Sequence, residues 1–365
     1  MQEIFMLNIT KQNKVNYGFI DNIRFIAIIA IVAEHSYFWP TNLYFKPLHE
    51  QLIQIFSMQL PKFGTIIFFL LAGFLIGDKI NTYQPLEYLK RRLDNTCKPW
   101  LFWVFIYLVL EYINSVVVYF RFGSADAFKQ PLLYFSNEIN YIAFETSFWF
   151  IINFIICIAV LMVFRKYLYS FKFGLILALF SLFYAVNIYF NWIPSRHTMA
   201  FLGFVFYLWL GVQMHKYYNG FLKWINEKSF ILLAALAVFT FCLAYAESLY
   251  LMNFVPKVDP YNTLRFTNIL YSLAAFLFFF KIGNISWVNK LNPRNTTFGI
   301  YLIHYIVIAQ VLPLIFRPLE INYQAQSATF LFGFQILRFV LAFTVTYLLT
   351  SLIRKSSRIK WMIGQ

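Results

Sequence analysis

Arg24 and His35 lie eleven residues apart in the apolar stretch YGFIDNIRFIAIIAIVAEHSYFW, Tyr17 to Trp39. Eleven steps of an α-helix come to about 1100°, within about 20° of three turns, so both side chains share one face about 16 Å apart along the axis. Asp21, three residues before Arg24, joins that stripe, whereas Glu34 points about 100° away from His35. A neutral imidazole can take a proton from a weak nucleophile near neutral pH. A guanidinium stays charged and, in a dry site, steadies an oxyanion or orients an anionic donor. Charge inside a lipid-length helix is costly and faces a bundle interior or a wet cavity. The stripe therefore predicts a polar pathway through lipid, with His35 and Arg24 as its chemical groups.

The elements that must hold this pair are set by composition. Of 365 residues, 61% are apolar, 22% aromatic and 12% charged, against roughly 25% charged and 45–50% apolar in soluble domains. Apolar runs of span length recur from end to end. They predict an all-α polytopic membrane protein with about ten transmembrane helices, near 19–39, 62–79, 99–120, 147–165, 172–191, 199–216, 229–250, 264–282, 298–316 and 329–353. The whole chain, 1–365, reads as a single transmembrane domain, and the charged first run reads as a retained span, not a removed signal peptide. The loops 40–61 and 121–146 are the longest.

The net charge of +15 would suggest a polyanionic partner in a soluble protein. Here the basic residues cluster at alternate span ends, which excludes nucleic acid and fixes orientation instead. One set of ends carries 20 of the 30 lysines and arginines and the other 8, which places both termini in the cytoplasm and the two longest loops outside. Cys97, Cys157 and Cys242 share no metal or disulfide spacing, so no metal is expected. Glu111 and Arg338 are two further intramembrane charges, expected to pair with each other. No internal repeat is visible, which counts weakly against a transporter built from related halves.

Four segments carry a family resemblance. FIDNIRFIAIIAIVAEH resembles the first span of the family 3 membrane acyltransferases, in which an Arg or Lys is followed by a His on the catalytic helix. FFLLAGFLIG (68–77), EYLKRRLDNTCKPW (87–100) and TTFGIYLIHYIVI (296–308) resemble that family's second-span, cytoplasmic and late-span motifs, in the family's order. The resemblance covers essentially the whole chain. Two positions depart from it: Ala72 stands where the family usually has Ser, and Asn95 where the second Arg of an RxxR motif is expected.

The resemblance implies O-acyl transfer, commonly of acetyl, from cytoplasmic acyl-CoA to a hydroxyl of a cell-surface polysaccharide or lipid-linked glycan, in a bacterial inner membrane. His35 is then the base and Arg24 the electrostatic partner, with Asp21, Glu34 and His304 in support. Lys90, Arg91, Arg92 and Lys98 form the densest internal basic cluster and would meet the coenzyme A phosphates, with Arg91 or Lys98 covering for Asn95. Glu145, Trp149 and Glu111 are candidates for the acceptor side, because aromatic rings stack on sugar faces. The chain ends soon after the last span, so no esterase-like outer domain is expected. Two other readings stand beside this one: a glycan exporter or other secondary transporter without chemistry, and an O-succinyltransferase of the same architecture.

Overall fold

The computed structural model describes residues 17–39, 47–80, 84–123, 126–255 and 258–365. Lys11, Lys14, Lys46 and Lys257, which enter the charge asymmetry, lie outside them. The chain is 82% helical, with no strand among the described residues. Each of the ten expected spans falls on a helix. Six are long and apolar enough to cross a membrane: Leu48–Gly77, Pro85–Phe122, Phe171–Phe190, Phe230–Phe254, Pro293–Leu319 and Ala328–Lys355. Pro131–Glu145 and Trp149–Val163 make a seventh if taken as one span bent by 65°. Gly18–His35, Phe201–Lys216 and Phe266–Ile282, of 18, 16 and 17 residues, are the shorter ones.

The two expected loops are largely helical. In 40–61, Leu48–Gln59 is a helix, and 121–146 contains Asp126–Lys129 and Pro131–Asn140. The first of these hides polar groups that lowered its apparent hydropathy. Gln59 receives Arg265 Nη2 at 2.5 Å and donates to Asn268 at 2.9 Å, and Asn253 donates to Gln51 at 2.9 Å. Arg265, fully buried, also pairs with Glu247 at 3.0 Å. A guanidinium there persists because its hydrogen bonds and countercharge replace water.

The charged helix Gly18–His35 is wrapped by two neighbours. Glu34–Lys62 (2.5 Å) and Arg24 over Phe68 (5.8 Å) run it antiparallel to Gly64–Gly77. Asn22–Asn289 (2.7 Å) and His35–His304 (3.2 Å) run it parallel to the helix beginning at Pro293. Gly64–Gly77 is seated in turn on Phe201–Lys216 by two glycines. A Cβ on Gly73 would stand 1.9 Å from the Leu208 carbonyl oxygen, and one on Gly211 would stand 1.9 Å from that of Leu70. Small residues at such crossings let backbones approach where lipid offers no hydrophobic drive for association.

Three helices widen by one residue, at Leu93–Cys97, Tyr141–Glu145 and Val307–Val311. Pro99 and Pro313 follow the first and third. A proline in a helix displaces the carbonyl four residues earlier, here that of Asn95 or Ala309, and a widened turn absorbs it. Widened turns re-aim side chains, and each of the three carries or adjoins residues of the cavities described below.

Gly211→Val should fail to give a stable protein, since backbone cannot retreat from the added atoms; overpacking costs on the order of 1–3 kcal/mol or more. Gly220, with nothing within 4 Å of its added Cβ, is the control. Thermal unfolding in detergent should show a large loss for Gly211→Val and none for Gly220→Ala. Equal midpoints for the two would refute the close crossing.

Candidate functional site

Helical register alone places Arg24 and His35 on one side of their helix, and the structure turns that side toward the helix from Pro293. Arg294, Phe298, Tyr301, His304 and Tyr305 follow one another along the facing stripe, the outermost two again eleven residues apart. Polar groups therefore meet at both ends of the contact. The expected single pathway is divided into two cavities that share no lining residue.

The cavity at the Arg24 end measures ≈ 230 Å³. Three guanidiniums line it, from Arg24, Arg92 and Arg294, together with Asn95, Thr96 and Tyr301. Arg24 pairs with Asp21 at 3.5 Å, so the partner expected from spacing is in place. Arg92 is held by its neighbour one turn back: its Nε donates to Tyr88 Oη at 2.8 Å and its guanidinium covers the Tyr88 ring at 5.1 Å. Arg91 instead pairs with Glu87 at 3.2 Å on the exposed side, Lys98 covers Trp361 at 5.1 Å, and Lys90 is exposed. None of these three lines the cavity. The widened turn Leu93–Cys97 puts Asn95 itself on the wall, and the second arginine comes from Arg294, on a different helix. Sequence reasoning missed Arg294 as a site residue because its signal is tertiary. Its only local mark is its place ten residues before His304, on the same helix.

The cavity at the His35 end measures ≈ 390 Å³ and is lined by Glu34, His35, Thr65, Glu145, Ser147, Trp149, Arg196, His197 and Asp259, among others. The hydrogen bonds of His35 define its tautomer. His304, fully buried, lies with Nδ1 2.6 Å from the Tyr301 carbonyl oxygen and 3.2 Å from that of Ile300. A carbonyl only accepts, so this Nδ1 carries the proton and His304 Nε2 presents a lone pair. His35 Nδ1 donates to the Ile31 carbonyl at 2.9 Å and to that His304 Nε2 at 3.2 Å. The basic nitrogen of His35 is therefore Nε2, on a ring that lines the cavity. Tyr305 closes the other side, edge-on to His35 at 5.6 Å between centroids.

Around this imidazole the charges are paired. Glu34 takes the Lys62 ammonium at 2.5 Å, and Glu145 takes Arg196 at 2.8 Å. Trp149 stacks on His197, ring centroids 4.6 Å apart and planes 22° off parallel. Burial first, then the nearby Lys62 ammonium, lowers the His197 pKa to about 4, against the opposing pull of Asp259 and Glu34. Its Nε2 lies 3.2 Å from Thr263 Oγ1, so a neutral ring extends the Trp149 platform. Lys62 and His197 carried no motif in the sequence, and both reach the cavity region from segments far from His35.

Glu111 and Arg338 do not pair. Gln310, in the widened turn Val307–Val311, donates to Glu111 at 2.6 Å, while Arg338 covers the Phe38 ring at 5.0 Å and donates to the Ser36 carbonyl at 3.3 Å. Each finds a partner on its own side of the bundle. Glu111 is also absent from the lining of the His35 cavity, unlike Glu145 and Trp149.

The arrangement offers an anion-binding pocket at one end of a helix and a base beside an aromatic, hydrogen-bonding vestibule at the other. No curated protein and no solved structure matches the chain. The family model described as an acyltransferase domain matches residues 17–355, which contain both cavities, the Arg24–His35 helix and the motif segments. The chain belongs to the family 3 acyltransferases and is a multi-pass membrane acyltransferase.

Proposed function

We propose that the protein is a bacterial inner-membrane O-acyltransferase that moves an acyl group, acetyl in the first instance, from cytoplasmic acyl-CoA to a hydroxyl of a cell-surface polysaccharide or lipid-linked glycan. In this reading the ten helices cross the membrane with both termini in the cytoplasm, as the charge asymmetry favours. One observation carries it: a triple-arginine cavity and a histidine-based vestibule open at opposite ends of the same helix pair.

Arg24, Arg92 and Arg294 suit the phosphates of coenzyme A, since a guanidinium binds phosphate oxygens through several donors at once. The vestibule suits a glycan: Trp149 and His197 offer a flat face, and Glu145, Arg196 and Asp259 offer hydrogen bonds at the rim. His35 Nε2 takes the proton of the acceptor hydroxyl as its oxygen bonds to the thioester carbonyl carbon. Collapse breaks the carbon–sulfur bond, and the proton passes from Nε2 to the departing sulfur, so no net charge is left behind. His304 fixes the Nδ1–H tautomer that leaves Nε2 free for this. Direct transfer is favoured over an acyl-histidine because the base is already oriented.

His35→Ala should lower transfer of labelled acetyl from acetyl-CoA into envelope glycan by about 10²–10⁴-fold, the usual contribution of a general base. Labelling equal to the wild type would remove His35 from the reaction. Arg294→Ala should raise the acyl-CoA KM by about tenfold or more with kcat little changed, since a charged hydrogen bond contributes roughly 1.5–3 kcal/mol. Arg91→Ala, on the exposed side, should not. A glycan exporter would bind no thioester at all, so unchanged binding of acetyl-CoA by Arg294→Ala, or none by the wild type, would favour that reading. Competition between acetyl- and succinyl-CoA measures the acyl preference.

A further inference from the structure

Resting on the acyl-transfer reading, we propose that the Ser147 hydroxyl, at the break ahead of helix Trp149–Val163, is the donor that holds the thioester oxygen as it becomes an oxyanion. The break is a fixed feature. The chain leaves the widened turn Tyr141–Glu145, turns extended at Thr146 (φ −92°, ψ 179°), and re-enters a helix bent by 65° from the one before. Thr146 pins it with its own side chain, which donates to the Ile142 carbonyl at 2.5 Å and accepts the Phe148 N–H at 3.3 Å. The new helix is 15 residues long, so its positive end lies at the break. Broken membrane helices place such ends against anionic groups in cavities.

A second, independent observation singles out Ser147. Its Oγ is buried with no hydrogen-bond partner among the described residues, in a residue only 3% exposed. A hydroxyl in hydrocarbon normally finds an acceptor, and this one sits on the wall of the His35 cavity without one. It also sits on the seam between the two cavities. Its carbonyl accepts the Tyr301 hydroxyl at 2.5 Å, and Tyr301 lines the Arg24 cavity. A thioester arriving from the arginine side must displace that tyrosine contact to meet a hydroxyl held by His35, and its carbonyl oxygen then lies beside Ser147.

The role is that of a donor, not a nucleophile. A serine attacks only when an adjacent base draws its proton, and Ser147 Oγ is bonded to none. As the acceptor oxygen bonds to the carbonyl carbon, the carbonyl electron pair moves onto oxygen and is met by the Ser147 O–H. When the carbon–sulfur bond breaks, the pair returns and the serine keeps its proton throughout.

The test uses the full chain in nanodiscs with labelled acetyl-CoA and envelope glycan. Ser147→Ala should lower kcat by about 10²–10³-fold with both KM values within about twofold of wild type, as loss of one oxyanion donor does, and Ser147→Thr should recover most of the rate. Because the hydroxyl bonds nothing in the resting protein, the unfolding midpoint of Ser147→Ala should match the wild type, which separates this role from a structural one. A Ser147→Ala enzyme at the wild-type rate overturns the inference and leaves the acyl-transfer reading standing. Label retained on Ser147 after an acid quench also overturns it, in favour of an acyl-serine. A wild type that transfers no acyl group sinks the reading and the inference together.

Discussion

The hydrogen bond from His35 Nδ1 to His304 Nε2 is where the chemistry and the architecture coincide. Two imidazoles within 3.2 Å inside a helical bundle can share one proton direction only if the outer ring is fixed from behind, and the carbonyls of Ile300 and Tyr301 fix it. Neither carbonyl is spared from a regular helix without consequence. The helix that supplies them widens immediately afterwards, at Val307–Val311, ahead of a proline that would otherwise collide with it. The orientation of the candidate base therefore depends on backbone strain relieved a turn away, on the partner helix.

The same economy of partners runs through the bundle. Water is not available in hydrocarbon to satisfy a stray charge, so Glu34 is met by Lys62, Asp21 by Arg24, and Arg265 by Glu247 and Gln59. These pairs tie the first helix to its neighbours and keep its charged side inward. The groups left open are those at the two cavities: the arginine triad, the Nε2 of His35 and the hydroxyl of Ser147. A transporter could line a passage with charges, but the aromatic partition of Phe68, Phe150 and Tyr301 between the two cavities fits a meeting point better than a channel, because Phe150 packs 5.5 Å from Tyr301 and 5.6 Å from Phe68.

Widened turns explain why motif reading located the right neighbourhood at 87–100 but not the right side chains. A regular helix through Lys90–Lys98 would distribute its basic residues around the axis and give no reason to choose among them. The extra residue at Leu93–Cys97 carries Asn95 and Thr96 onto the cavity wall and leaves Arg91 and Lys98 outside. Asn95 consequently marks a place where an arginine is provided from another helix, by Arg294, and not a missing contact. Glu111 shows the converse: a lone carboxylate in an apolar span invites a distant cation, yet Gln310 from another widened turn reaches it first.

What the sequence determined by itself was the family, the helical class, the positions of the ten apolar segments and the shared face of Arg24 and His35, because composition, motif order and a period of 3.6 residues are local properties. Even the proline-driven widening was written there, in Pro99 and Pro313. Only the tertiary structure decided which cations gather at Arg24, that Lys62 and His197 stand beside His35, that the imagined loop 40–61 continues the second span, and that the polar pathway is divided. Each of those depends on contacts between residues far apart in the chain, where packing selects one partner among several of equal chemical merit. Spacing along a single helix carries no information about that choice.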